Sequence, residues 1–170
     1  HHRIAATAIE LGVAAVHCSR SFDPAGVAEQ EALQAKLDSA GIRLVIGPGN
    51  YAVSPGSVRK PDGTPYRVYT PFFKAWFEHG WSASIAAPSA VNWLQVGQKL
   101  PTDTGVKVGE AFALRTFERF KVRALREYNE ERNRADLSGT SHLSHALAHG
   151  EIHPRTLLAQ LGETPGEITF

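Results

Sequence analysis

The sequence predicts an α/β segment followed by an all-α segment, and two patterns carry that prediction. Between Ile4 and Ile46, helical spacing alternates twice with short β-branched apolar runs. From Glu110 the apolar residues keep a helical period for more than twenty residues without a glycine or proline.

In the first segment, Ile4 to Leu11 has the Ala, Ile and Leu spacing of an amphipathic helix, and Gly12 supplies its stop. Val13 to His17 reads as a short strand. Pro24 to Ser39 reads as a second helix, with Pro24 at the tolerated first position, Leu33 and Leu37 at i, i+4 and Gly41 just past the end. Ile42 to Ile46 is the second strand. Helix, strand, helix, strand at this spacing predicts a parallel sheet with crossover helices, and two strands are too few for a stable open sheet. Gly47-Pro48-Gly49-Asn50 lacks the Lys-Ser/Thr ending and following helix of a phosphate loop, so it reads as a turn.

Asp62-Gly63 signals a turn between Val58 and Val68, with Pro61 and Pro65 limiting its flanks to short or edge strands. Phe72, Phe73 and Trp76 then fall on a helical spacing, with Thr70 as the expected cap, Pro71 at the first position and the rings expected in the core. Gly80 to Thr104 reads as a linker that Trp81 and Trp93 pin to a surface.

Val108 to about Asn133 is expected as one long helix burying Phe112, Phe117, Phe120, Ala124, Leu125 and Tyr128. Seven Arg or Lys and four Glu lie between Arg115 and Arg134, a pattern that reads as a solvated face laced with i, i+4 pairs. A further helix is expected to start at Thr140 or Ser141 as N-cap, to run along Leu143 and Leu147, and to end at Gly150. Hydroxyls at a helix start are either an ordinary cap or a phosphate cradle, because free N–H groups and the helix dipole both favour an anion there.

The net charge of +1 excludes a generally cationic nucleic-acid coat, so any basic footprint is local. Cys18 is the single cysteine, which excludes an intrachain disulfide, and no apolar run reaches membrane-spanning length. A soluble, cytoplasmic protein is the expectation. The 170 residues include no Met, so His1 is read as something other than a native start and the chain as an internal stretch of a longer one.

Two stretches together resemble the DNA photolyase and cryptochrome family. The first is Tyr128, Arg132, Thr140-Ser141-x-Leu143-Ser144 and Gly150-Glu151-Ile152-x-Pro154-Arg155, similar to the start of that family's flavin-binding helical domain. The second is Asp62 to Trp76, similar to the segment that leaves its α/β domain. The resemblance implies residues 1–60 as part of a Rossmann-like α/β antenna domain, 61–104 as the interdomain connection and 105–170 as the start of the helical FAD-binding domain. It implies a deoxyribodipyrimidine photolyase that splits cyclobutane pyrimidine dimers by light-driven electron transfer from reduced FAD, or a cryptochrome-type photoreceptor on the same fold. The longer chain is expected to be monomeric and to act on UV-damaged DNA; the 170 residues alone should be inactive.

Residue by residue, the resemblance implies FAD contacts at Tyr128, Thr140, Ser141, His142, Leu143 and Ser144, a DNA-backbone contact at Arg132, and no catalytic residue within this stretch. His142 stands where the family commonly has Arg. An antenna chromophore of unspecified type is implied for the α/β part. The folate pattern asks for Asn-Glu after an element matched by Phe22-Asp23-Pro24, and Ala25-Gly26 stand there instead. A rival signal is the stripe His142, His145 and His149, at i, i+3 and i+7, which would make a helical metal-binding module.

Overall fold

The computed structural model describes residues 2–93, 105 and 107–170. The chain forms two compact units, His1–Gly80 and Trp81–Phe170.

The first unit begins α1 (His2–Glu10), β1 (Ala15–Ser19), α2 (Pro24–Ser39) and β2 (Arg43–Gly47). The strands pair in parallel, Ala15 opposite Arg43 through Ser19 opposite Gly47, in a two-stranded sheet. Its core joins Ala5, Ala8, Leu33, Leu37 and Ile42, with Val13, Val16 and Leu44 packed alongside.

Both strands start later than the apolar pattern predicts, by two residues for β1 and one for β2. The cause is how the preceding helices close. Gly12 and Gly41 adopt left-handed φ values of 60° and 71°. Each donates to the carbonyl three residues back, and the following Val13 and Ile42 donate to Ala8 and Leu37 at 3.2 and 2.9 Å. This paired 5→2 and 6→1 arrangement satisfies helix carbonyls that would otherwise be orphaned. Val13 and Ile42 are thereby committed to the helix ends. At the other end of α2, Asp23 Oδ1 accepts the Gly26 N–H at 2.8 Å. Gly47 ends β2, and residues 48–50 follow without regular structure, bending at Asn50, with Gly49 at φ 88° and buried.

The Asp62-Gly63 turn forms as expected, with Gly63 at φ 79° and Asp62 Oδ1 accepting from the Thr64 amide and hydroxyl at 2.9 and 2.6 Å. No strand flanks it among the described residues, because Pro61 and Pro65 remove ladder donors on both sides. The helix α3 (Tyr69–His79) starts one residue before Thr70; Val68 is its N-cap and Thr70 does not cap it. Its rings do not enter the core. Tyr69 is 73% exposed, and it stacks on Phe73, which stacks on Trp76. Residues 81–93 have no regular structure, and Trp93 is 75% exposed rather than pinned to a surface. The remainder of the expected linker, 94–104, lies outside the described residues.

The second unit contains α4 (Glu110–Arg123), α5 (Tyr128–Glu131), α6 (Ser144–Ala148), α7 (Pro154–Leu158) and α8 (Pro165–Thr169). The single helix expected from Val108 to Asn133 is therefore two. The break is tertiary in origin: the Ala124 and Leu125 amides both close on the Phe120 carbonyl, and the Leu125 carbonyl turns toward Gly166 of α8. A methyl group at Gly166 would lie 1.9 Å from that oxygen. The core comprises Ala113, Phe117, Phe120, Ala124, Leu125, Leu143, Ala146, Ile152 and Leu157. Phe112, expected in this core, is only half-buried and lines a surface groove of about 670 Å³ with Lys107, Arg115 and Arg119.

α8 is held by a capping box, in which the Thr164 hydroxyl accepts from the Glu167 amide and the Glu167 carboxylate accepts from the Thr164 amide. The Thr164 hydroxyl, and then the Gly162 and Thr164 amides, hold the Glu167 carboxyl below its ordinary value of 4.5. A carboxyl depressed in the folded state stabilises it fully above the unfolded value, and that stabilisation is lost as pH falls through the folded value. Thermal unfolding midpoints measured from pH 6 to pH 3 should therefore fall more steeply for wild type than for Glu167→Gln; parallel curves would contradict the coupling. Gly166→Ala should destabilise the fold by about 2–3 kcal/mol through overpacking against Leu125, read by urea denaturation, and an unchanged midpoint would contradict this placement of α8.

Candidate flavin and DNA-backbone site

The residues singled out by sequence all lie in the second unit, but the structure builds them differently from a capped helix start. α6 begins at Ser144, with Leu143 as N-cap and no side-chain cap. Thr140 and Ser141 sit in the preceding loop. Two packing demands pull the start back. Gly139 is buried against α5, where a methyl group would come within 2.7 Å of Glu131 Cβ, and Leu143 enters the core at 2% exposure. The chain spans these two anchors by placing His142 at φ 53°, a region histidine enters more readily than most residues.

Ser141 Oγ then accepts the Leu143 N–H at 3.4 Å, while Thr140, His142 and Ser144 face solvent. The result is a loop that presents two free-facing hydroxyls and an imidazole outward over a fixed apolar floor. α6 has five residues, so its dipole adds little; hydroxyls and loop N–H groups are what it offers an anion. The side chain of Leu143 is core, which leaves its backbone as the part able to meet a ligand. The Leu143 and Leu147 stripe and the stop at Gly150, φ 67°, follow the sequence expectation, and Ala146 joins the core beside them.

Tyr128 opens α5 and is half-buried, its ring edge-on to Phe120 at 5.5 Å and to Phe170 at 5.4 Å. Arg132 is the exposed C-cap of α5, and its side chain makes no ion pair among the described residues. Neighbouring cations are engaged: Arg134 holds Asp136 through two bonds of 2.8 and 2.6 Å, and Lys121 meets Glu118 at 2.7 Å and Gln160 at 2.9 Å. No i, i+4 pair appears among the ion pairs of the described residues, so the expected lacing is replaced by these local contacts.

The histidine stripe does not form a ligand set. His142 precedes the helix in a left-handed conformation, the His145 and His149 rings lie 4.3 Å apart and tilted by 48°, and His153 Nδ1 accepts the Arg155 amide at 3.2 Å. Among the described residues, no group of three His, Cys, Asp or Glu is arranged to hold a metal ion. This overturns the helical metal-binding module. In the first unit, the position where a folate site would need Glu is Gly26, and a side chain there would come within 2.7 Å of Asp23 and Ser21. The folate pattern does not fit.

One structural contact has no signal in the local sequence. Glu151, side chain 17% exposed, accepts the Gly109 N–H at 3.0 Å and so caps the N-terminus of α4 from 42 residues away. α4 has no cap of its own, because Gly109 stands at the N-cap. Replacing Glu151 by Ala should cost about 1 kcal/mol, while Gln, which keeps an acceptor, should retain most of it; equal losses in chemical denaturation would assign the effect to charge instead.

Against this geometry, the profile of the DNA photolyase family matches residues 1–90. The deoxyribodipyrimidine photo-lyase of a Synechococcus strain is 32% identical over 171 residues, spanning 89% of this chain and 35% of its own length. The Agrobacterium fabrum deoxyribodipyrimidine photo-lyase is 32% identical, spanning 85% of this chain and 34% of its own. The crystal structure of a bacterial class III photolyase from Agrobacterium tumefaciens superposes with a TM-score of 0.68 at 31% identity, covering 93% of this chain and 36% of that one. A mixed α/β chain with a small parallel sheet that superposes on a photolyase in this way is a photolyase-type protein. The chain belongs to the DNA photolyase family. It spans about a third of the length of these relatives. Among the described residues, no helix is long and apolar enough to cross a membrane.

Proposed function

We propose that the protein is a light-dependent DNA-repair enzyme that splits cyclobutane pyrimidine dimers, with the first unit as part of an antenna-type α/β domain and the second as the start of a helical FAD-binding domain. The observation that carries this is the outward loop of Thr140 to Ser144 over a buried floor, in a chain of this family. Its donors suit a dinucleotide. The Thr140 and Ser144 hydroxyls are exposed and can donate to pyrophosphate oxygens, and Tyr128 offers an ordered aromatic surface.

Bound FAD would supply the light-driven electron; the residues here bind and orient. Ser141 holds the loop through Leu143, His142 adds a charge only when protonated, and Arg132 takes a DNA phosphate and so positions the duplex without reading it. The poorly stacked dimer is the cheaper dinucleotide to extrude toward such a site. Repair is favoured over a photoreceptor role because the relatives at 32% identity are named photo-lyases.

The protein at its natural length should copurify with a yellow or blue flavin; a folded, colourless protein that cannot be reconstituted with FAD would contradict the proposal. Arg132→Ala should weaken lesion-containing and plain DNA alike and reduce the slope of log K against log salt by about one, as expected for one lost phosphate contact. A slope equal to wild type would make Arg132 a solvated helix end.

A further inference from the structure

We propose that Phe170 is a positioning residue for Tyr128, so that α8 sets the aromatic wall of the cofactor site; this rests on the flavin reading of Tyr128 given above. Tyr128 lies on a four-residue helix with no side-chain cap, and its own element holds it weakly. What orients it is tertiary. Its ring meets Phe120 at 87° and Phe170 at 73°, edge-on in both cases, and the two phenylalanine rings lie 5.0 Å apart. Phe170 also stacks on Phe117, which is fully buried, at 5.7 Å. The phenol is thus held between one ring from α4 and one from the end of α8.

The position of Phe170 is itself constrained. Its amide donates to the Gly166 carbonyl at 3.0 Å, and Gly166 is seated against the Leu125 carbonyl, so α8 has little room to slide along the α4–α5 turn. The Thr164–Glu167 box closes the other end of the helix. Edge-to-face ring pairs have preferred angles that an aliphatic side chain does not impose, so a leucine would fill the space and leave the tyrosine freer to turn. A site residue ordered before binding loses less freedom on binding.

The test uses the natural-length protein stripped of flavin, in wild-type, Phe170→Leu, Phe170→Tyr and Leu161→Ala forms. Leu161 packs against the same core and contributes no ring to the aromatic pairs around Tyr128, and controls for loss of stability alone. Phe170→Leu should shift the Tyr128 ring proton resonances, weaken FAD about two- to tenfold and alter the visible circular dichroism of bound flavin. Phe170→Tyr should restore all three, and Leu161→Ala should change none. Unmoved Tyr128 resonances, or wild-type FAD affinity in Phe170→Leu, would overturn the positioning role while leaving the flavin site standing. A wild-type protein that takes up no FAD would overturn the flavin reading itself, and this role with it.

Discussion

The second unit depends on one constraint, the complete burial of Phe117. Its ring has no exposed surface, and burying a side chain of that size is worth on the order of 2–3 kcal/mol. α4 supplies Phe117 and Phe120, the loop and short helices that follow supply Leu143, Ala146, Ile152 and Leu157, and Phe170 covers the ring from the end of α8. Helices of four or five residues have almost no stability of their own. α6 and α7 persist because Ala146 and Leu157 join this core, while Tyr128 at the start of α5 and Phe170 just past α8 pack against it. The polar loop around Thr140 to Ser144 is ordered as a consequence, since Gly139 and Leu143 are tied down on either side of it.

Much of this was legible in the sequence, and the reasons are local. Gly12, Gly41 and Gly150 each end a helix with a left-handed residue and a 6→1 bond, a geometry that glycine after an apolar stripe announces. α2 runs from Pro24 to Ser39 as the Pro, Leu and Gly pattern requires. The strand starts were misplaced because the same 6→1 bonds take Val13 and Ile42, which an apolar count assigns to the strands.

What was not legible depends on partners distant in the chain. No pattern between Val108 and Asn133 marks a break, yet Gly166, some forty residues on, packs where a continuous helix would run. Glu151 capping Gly109 is hidden for the same reason. Thr140 and Ser141 have the composition of an N-cap and are displaced from that role by the burial of Gly139 and Leu143. The aromatic residues of α3 were assigned to a core on composition, and in the first unit they stack on each other while Leu33 and Leu37 fill the interior. For the proposed site, the residues come from the resemblance, and the packing of Gly139 and Leu143 explains why Thr140, His142 and Ser144 face solvent.

Native-state hydrogen exchange of the second unit tests most directly whether the buried core orders the polar loop from Thr140 to Ser144. The amides of Leu147 and Glu151, bonded to the Leu143 and Ala146 carbonyls at 2.9 and 2.8 Å, should exchange with the protection of the Ala124 amide of α4, through opening of the whole core. Exchange of Leu147 and Glu151 orders of magnitude faster than Ala124 would show that the loop and α6 open independently, and that the Phe117 core does not hold them.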